Sequence, residues 1–288
     1  MDQTLLRVNA AIEDYQNANC PIVHQPIFEK EDNHRTHLGA SLIGRDCSRQ
    51  LWYVFRWAKD ITHDARILRL FARGHLEEER FVFFLRQAGI TIWQYDTNGR
   101  QFRMAACGGH YGGSMDGVGK GFPEKPDTPF LTEFKTHNDK SFALLEAKGV
   151  KESKPEHNIQ MQQYMGAYGL THAAYFAVNK NTDAWHAEMV DFNEAEYKLY
   201  LARAEHIIFS PFPPPREYGM RSHFKCKWCD YNSLCWTLEG AAVNCRTCAY
   251  SKPIEDGAWK CEHVDRVLAP SLIVKGCTNH TFIEGLVK

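Results

Sequence analysis

The stretch Phe130-Leu131-Thr132-Glu133-Phe134-Lys135 decides how the middle of the chain folds. Apolar and polar residues alternate along it, a pattern that predicts a half-buried β-strand. Because side chains two residues apart point the same way in a strand, we expect Glu133 and Lys135 on one face and Phe134 on the other. Upstream, Gly113-Ser114-Met115-Asp116-Gly117 supplies another carboxylate, which needs only a neighbouring strand to join them.

Two carboxylates beside a lysine suit metal-assisted hydrolysis of phosphate esters. Carboxylate oxygens are ligands that Mg²⁺ or Mn²⁺ prefers, and such a metal activates water and offsets charge on the phosphate oxygens. A lysine ammonium orients that water or stabilises the transition state as a compact point charge. An acid followed at a distance by Glu-x-Lys is also typical of a solvated strand face, so the flanking sequence has to decide.

Residues 65–88 form the upstream flank, where apolar side chains recur near the 3.6-residue period and predict a helix. Gly74-x-x-x-Glu78 lies within it and resembles the Gly-x-x-x-His or Gly-x-x-x-Glu element of RecB-like nucleases, a resemblance that implies Glu78 as a third carboxylate. The alternative is a solvated helix face on which Glu78 and its acidic neighbours pair with nearby arginines. His75 lies close enough to assist but is not required as a ligand.

Gln160-x-x-x-Tyr164 forms the downstream flank. An amide and a phenol one helical turn apart face the same groove. The pair resembles the Gln-x-x-x-Tyr element of RecB-like nucleases, which implies contacts with a DNA strand and the active site. The alternative is an ordinary amphipathic helix, because Met161, Tyr164, Met165 and Tyr168 also make a core stripe.

The order of these elements resembles that of RecB-like nucleases of the PD-(D/E)XK superfamily, over about residues 45–236: Glu78, Asp116, Glu133, Lys135, Gln160, Tyr164. The resemblance implies a restriction-endonuclease-like α/β fold, with a mixed central sheet flanked by helices and a cysteine-rich, metal-bound C-terminal region. It also implies a deoxyribonuclease acting on DNA, with an exonuclease favoured over an endonuclease. The three carboxylates would hold one or two Mg²⁺ or Mn²⁺ ions, Lys135 would orient the attacking water, and the last two residues would position the strand.

The ten cysteines give an independent signal. We expect an intracellular, cytoplasmic protein, in the bacterial host if phage-encoded, because no basic-then-apolar signal segment and no long apolar run is present. In such a compartment a cysteine-rich chain binds metal more often than it forms disulfides.

Cys226-x2-Cys229-x5-Cys235 offers three ligands, and Cys47 fits as the fourth; these residues are the first cysteine set. This split resembles the iron–sulfur staple of AddB and of the CRISPR-associated RecB-like exonucleases. Four thiolates suit a 4Fe–4S cluster, which the resemblance favours, although a tetrahedral Zn²⁺ uses the same ligands.

The second cysteine set is Cys245-x2-Cys248-x12-Cys261-x15-Cys277, whose spacing predicts a structural Zn²⁺ site with four sulfur ligands. His263 and His280 lie near enough to replace a thiolate. The resemblance does not assign this set. The remaining Cys20 and Cys107 are interpreted as small buried hydrophobes.

The proline-rich residues 210–215 mark a break in the chain. We predict a nuclease core over residues 1–210, a cluster-binding segment over 211–240 and a zinc-binding tail over 241–288. Within the core, residues 173–178 and 184–190 read as strands and 193–209 as a helix, with Asn193 as its N-cap.

The net charge does not indicate a nucleic-acid ligand, because 34 basic residues balance 35 acidic ones. Local basic groups over residues 45–73 and at Lys148, Lys151 and Lys154 fit a surface that binds DNA. Trp52, Tyr53 and Trp57 could stack on its bases. The alternative is that these three rings lie in the core. The lone-chain organisation resembles that of phage-encoded exonucleases. This resemblance implies a role in phage recombination, repair or DNA processing, with a homo-oligomer or a recombination protein as a further partner and no membrane contact. The rival function is a catalytically silent or redox-regulated DNA-binding module.

Overall fold

The computed structural model describes residues 1–17, 34–62 and 64–287, and Cys20 lies outside these residues. Its helices are α1 (Asp2–Asn17), α2 (Ser48–Phe55), α3 (Ala65–Gln87), α4 (Asp139–Ser153), α5 (Pro155–Tyr168), α6 (Glu194–Phe209), α7 (Phe224–Lys227), α8 (Asn232–Thr237) and α9 (Pro270–Ile273). Its strands are β1 (Leu38–Gly39), β2 (Thr91–Trp93), β3 (Arg103–Ala106), β4 (Tyr111–Ser114), β5 (Gly117–Lys120), β6 (Phe130–His137), β7 (His172–Asn179), β8 (Trp185–Asp191), β9 (Ser251–Pro253), β10 (Trp259–Cys261) and β11 (Arg266–Val267). None of these helices is long and apolar enough to cross a membrane.

Contacts divide the protein into two compact units, each drawn from separate stretches of the chain. Unit 1 takes Met1–Lys30, His63–Met104 and Ser114–Tyr197, and unit 2 takes Glu31–Thr62, Ala105–Gly113 and Lys198–Lys288. The division at residues 210 and 240 stays a prediction, because it groups residues by their expected metal sites rather than by contacts.

Unit 1 is built on a mixed five-stranded sheet with the order β2-β5-β6-β7-β8. The strands β6 and β7 are parallel, and the other neighbours are antiparallel. Helices α4 and α5 lie between β6 and β7 in the chain and contact both strands, as a parallel connection requires. The three predicted strands and a helix-flanked mixed sheet are therefore present.

The central strand β6 has the predicted faces but a different environment. Phe134 stacks on Phe81 of α3, with ring centroids 5.1 Å apart, while Glu133 points to the opposite face. Glu133 is completely buried, so the strand is not half-buried as its alternation predicts. The reason is that α5 also contacts β6, which gives this polar row a cover.

Capping residues fix the starts of the two predicted helices α3 and α6. Asp64 precedes α3, and its carboxylate accepts the backbone N–H of Ile67 at 2.9 Å. Asn193 precedes α6, and its side-chain oxygen accepts the N–H of Glu196 at 3.1 Å. Both contacts satisfy a backbone donor that the first helical turn leaves free, and the predicted N-cap at Asn193 is confirmed.

Unit 2 contains β1, paired in parallel with β4, and an antiparallel sheet with the order β11-β10-β9. Its core takes aromatic residues of α2 and Trp57, two residues after the helix ends: Trp52 and Tyr53 are at most 1 % exposed and Trp57 is 8 % exposed. The interpretation that these three rings stack on bases is wrong, because each is packed inside the protein.

Two arginines are buried in unit 2. Arg56 and Arg246 are 2 % and 1 % exposed, and their guanidinium groups donate to backbone carbonyls such as Ser251 and Phe55. Arg246 also lies 3.7 Å from the ring centroid of Trp57, a cation–π contact. Neither guanidinium forms an ion pair with a carboxylate of the described residues. Carbonyl dipoles and aromatic faces therefore replace the usual counter-ion.

Candidate functional site

Asp116 is brought to Glu133 by the pairing of β5 with β6. Gly117 pairs with Thr132 in an antiparallel register, so Asp116 stands across from Glu133 just where the ladder ends. The Asp116 carboxylate accepts the backbone N–H of Phe134 at 2.8 Å. Gly117 lets β5 pair closely with β2, because a Cβ there would stand 2.8 Å from the carbonyl oxygen of Trp93.

Glu133 and Lys135 form the centre of this site. Lys135 Nζ donates to Glu133 Oε1, as their two-residue spacing on β6 predicts. The other oxygen of Glu133, Oε2, is buried and has no hydrogen-bond partner. A buried carboxylate oxygen without a donor is costly, so this atom is where a cation would be most stabilising.

Helix α3 supplies the third carboxylate. Glu77 pairs with Arg80, with Oε2 and Nη1 3.0 Å apart, so the alternative of a paired acidic face holds for Glu77. Glu78 instead lies within electrostatic range of Asp116, Lys135 and Glu133. His75, also on α3, acts on Asp116. The third predicted carboxylate therefore joins the other two.

Burial and mutual repulsion shift the pKa values of these carboxyl groups upward. Burial raises the pKa of Glu133 to about 7, although the Lys135 ammonium acts in the opposite direction. Burial, followed by the Asp116 carboxylate, raises the pKa of Glu78 to about 8. Burial also raises the pKa of Asp116, against the influence of Lys135 and the Phe134 N–H. The three carboxylates together thus have more negative charge than the neighbouring Lys135 ammonium can offset.

The pKa of Lys135 is also raised, which in a lysine favours the charged form. Burial alone would lower its pKa, but the Glu133 and Asp116 carboxylates outweigh burial and raise the pKa of Lys135. The ammonium therefore stays charged at neutral pH and can act as a fixed positive charge beside the three carboxylates.

Gln160 and Tyr164 lie on α5, as their spacing predicts, but both are buried, at 6 % and 2 % exposed. Met161 and Met165 are fully buried beside them, whereas Tyr168 is 40 % exposed and donates to the carbonyl of Arg103. The core-stripe alternative therefore describes most of this helix. A contact of Gln160 and Tyr164 with a DNA strand stays a prediction.

A buried polar cluster that none of the sequence motifs indicates lies next to the site. Tyr175 on β7 pairs with Glu133 in register, and its hydroxyl is 2.9 Å from both His137 Nε2 and His157 Nδ1. Burial lowers the pKa of His137 to about 4 and of His157 to about 2, so both rings are neutral. The signal was present in the sequence, because His137 continues the two-residue spacing of Glu133 and Lys135.

The first cysteine set converges within unit 2. Cys47 precedes α2, Cys226 lies on α7, Cys235 lies on α8, and Cys229 lies in the turn between those helices. All four line one open cleft that contains about 290 Å³ of empty space. Burial raises the pKa of Cys226 and of Cys229, and the Cys47 and Cys235 thiols add to the rise at both. Cys47 therefore joins the distal three.

The second cysteine set also converges. Cys245 and Cys248 bound a 3₁₀ turn, Cys261 ends β10, and the Cys277 carbonyl accepts the N–H of His280 at 3.1 Å. Burial, followed by the thiols of Cys277, Cys248 and Cys261, raises the pKa of Cys245 to about 11. His280 Nε2 lies 3.1 Å from the Thr247 hydroxyl, and His263 Nε2 lies 3.4 Å from the Asn279 amide.

None of the nine cysteines that the structure describes is in a disulfide. Within the same residues, no group of three or more His, Cys, Asp or Glu side chains is arranged so that it could hold a metal ion. Ligand-type side chains are thus gathered at three places without forming a finished coordination sphere at any of them.

No family model and no curated protein matches the chain. Solved structures that resemble it include that of SSO0001, with 13 % identity over 81 % of this chain and 96 % of that one, at a TM-score of 0.41. An alkaline exonuclease from Laribacter hongkongensis, LHK-Exo, has 15 % identity over 60 % of this chain and 89 % of that one, at 0.38. The structure of the same exonuclease in complex with dAMP has 15 % identity over 60 % of this chain and 86 % of that one, at a TM-score of 0.39. At such low TM-scores and identities, the function has to be argued from the site itself.

Proposed function

We propose that the protein is a Mg²⁺- or Mn²⁺-dependent deoxyribonuclease of the RecB-like PD-(D/E)XK type, and that it acts as an exonuclease in DNA recombination, repair or processing. The observation that carries the proposal is the unpartnered, fully buried Oε2 of Glu133 among two further carboxylates and one lysine. Hard oxygen donors short of positive charge fit a divalent cation. The sequence order of the motif residues supports the same conclusion.

We assign the site side chains three roles: metal binding, orientation of the attacking water and positioning of the DNA strand. Glu78, Asp116 and Glu133 would hold the metal, which supplies Lewis acidity and an activated water when bound. The Phe134 N–H keeps the Asp116 carboxylate turned toward the site. Lys135 Nζ, anchored on Glu133 Oε1, would hold the attacking water and offset charge on the phosphate oxygens. Gln160 and Tyr164 would position the strand.

Cleavage of end-labelled linear and closed circular DNA tests the proposal, with Mg²⁺, Mn²⁺ or EDTA and anaerobically purified protein. We expect metal-dependent loss of the linear DNA and sparing of the circles, because an exonuclease needs an end. Nicking or linearisation of the circles would instead indicate an endonuclease. If folded, metal-loaded protein cleaves neither substrate, the DNA-binding module becomes the better account.

The raised carboxyl pKa values predict how pH affects metal binding. A carboxyl group whose pKa is higher in the folded than in the unfolded state stabilises the fold below its unfolded pKa and loses that effect as pH rises through the folded one. Glu133 and Glu78, at about 7 and 8 against an ordinary 4.5, should therefore weaken the metal-free fold as pH rises through that window. Bound Mg²⁺ offsets the same charges.

We therefore expect Mg²⁺ to raise the Tm more at about pH 8 than at about pH 5.5, where most of these groups are protonated. Differential scanning fluorimetry in EDTA and in Mg²⁺ measures this without any substrate. The Glu133→Gln variant serves as the control and should show a smaller Mg²⁺ effect at the higher pH. An equal rise in Tm at both pH values would argue against a carboxylate metal site.

The two cysteine sets complete the proposal. The four thiols around the open cleft fit a 4Fe–4S cluster in donor type and number, and a Zn²⁺ ion would use the same donors. Such a group would tie Cys47 to residues almost 180 positions later, a structural role rather than electron transfer. For the second set we propose a structural Zn²⁺ held by Cys245, Cys248, Cys261 and Cys277, with His263 or His280 as a replacement ligand.

A further inference from the structure

A short segment of unit 2, residues 216–228, exposes large apolar side chains. Trp228 is 82 % exposed, Phe224 66 % and Met220 61 %. Trp228 is the most exposed of the large hydrophobic side chains that the structure describes, whereas Trp52 and Trp259 are fully buried. An exposed group of aromatic rings is a liability in water, which points to a binding surface.

Backbone hydrogen bonds hold Trp228 on a turn. The Cys229 N–H donates to the Cys226 carbonyl at 3.1 Å, and the Asn232 side-chain amide donates to the same carbonyl at 2.8 Å. The indole is therefore presented to solvent on an anchored backbone. Because its support is already fixed, binding there costs less conformational entropy than ordering a free loop.

The same segment is basic. It carries Arg216, Arg221, Lys225 and Lys227 against one acidic residue, Glu217. Lys227 Nζ lies 5.9 Å from the Trp228 ring centroid, and Arg216 lies over the Trp236 ring at 4.6 Å. Cations interleaved with exposed rings match a partner that has both negative charge and flat apolar faces.

We propose that this segment, the 216–228 platform, stacks the unpaired bases of a single-stranded nucleic acid. Exposed rings take the base faces, and the neighbouring cations take the phosphates. A duplex hides its base faces in the stack, so it offers the rings much less. The identity of the strand as DNA rests on the proposed function, whereas binding to the platform does not require a working catalytic site.

The test is fluorescence anisotropy of a labelled oligothymidylate of about 16 nucleotides, the upper end of single-strand site sizes, in EDTA so that nothing is cleaved. We expect Trp228→Ala to bind about 5- to 100-fold more weakly and Phe224→Ala to be weakened in the same sense. Trp228→Phe should keep most of the affinity, whereas Trp228→Leu, apolar but unable to stack, should resemble the alanine variant. A blunt duplex should show little difference between wild type and Trp228→Ala.

Lys227→Gln tests the electrostatic half of the platform. Removing one phosphate contact should reduce the slope of log K against log salt by about 0.7 for a single strand. Phe212→Ala is the matched control, because Phe212 is 53 % exposed but lies outside the platform. Metal content and Tm are measured for every variant, so that loss of the nearby cysteine set is not mistaken for loss of stacking.

Equal oligothymidylate affinity of wild type, Trp228→Ala and Phe224→Ala would overturn the inference. It is also overturned if Trp228→Ala changes only the sedimentation of the protein, because the surface would then be a protein interface. If the wild type fails to cleave DNA but binds the oligonucleotide through Trp228, the catalytic proposal fails and the platform stands.

Discussion

Replacing Glu133 by glutamine should reduce metal-dependent DNA cleavage by about 10³-fold or more, in line with the loss of one preorganised charge in a catalytic site. Glutamine keeps the size of the side chain but removes the charge at Oε2 and the anchor of Lys135 Nζ. Lys135→Met should cause a similar loss because it removes the only ammonium acting on all three carboxylates among the described residues. Initial rates on linear DNA under saturating Mg²⁺ measure both effects.

The fold of the Glu133→Gln variant separates chemistry from stability. Removing one of three crowded negative charges relieves repulsion, so the metal-free Tm at about pH 8 should be no lower than that of the wild type. Glu78→Gln should also lose activity, whereas Glu77→Gln on the same helix should retain it, because Glu77 is paired with Arg80. Full activity of Glu133→Gln would remove the catalytic assignment.

Cys47→Ala and Cys261→Ala should lose different metals. The first should release the iron, as Cys229→Ala would, and keep the zinc; the second should release the zinc and keep the iron. Elemental analysis and the visible absorbance of anaerobically purified protein report both. Chain entropy for a closed loop of about 180 residues gives an upper value of about 5 kcal/mol for the stability lost with the first set.

Cys107→Ala is the control for both variants. Cys107 is half-buried rather than a buried hydrophobe as interpreted from the sequence; burial raises the pKa of its thiol to about 11, and it belongs to neither set. Its variant should keep both metals. Retention of iron by Cys47→Ala would show that the cleft does not hold the cluster through that residue, and zinc in the first set of the wild type would select the alternative metal.

The local hydrophobic pattern of the sequence predicts much of the secondary structure of unit 1. The alternation along β6 places Glu133 and Lys135 on one face, and the 3.6-residue period places Glu78 on α3. Pattern could not show that α5 buries the polar row, since amphipathicity is weak where a helix is covered on several sides. It also could not show that Asp116 binds the Phe134 N–H, because the ladder register determines that contact.

The sequence does not predict which aromatic residues are buried and which are exposed. Trp52 and Trp228 both lie near basic residues, yet one is fully buried and the other is 82 % exposed. Composition cannot separate them, because the buried Trp52 indole donates to the carbonyl of Ser210, 158 residues later, at 3.0 Å. Long-range packing of this kind leaves no local period to detect.

The division of unit 2 into three stretches of chain has a consequence during protein synthesis. Cys47 leaves the ribosome about 180 residues before Cys226, which at about 5–20 residues per second is roughly 10–40 s. In that interval the five-stranded sheet of unit 1 can form, whereas the cleft that gathers the first cysteine set cannot. If the first cysteine set holds a cluster as proposed, the cluster would be inserted late, only after the last of its four ligands has left the ribosome.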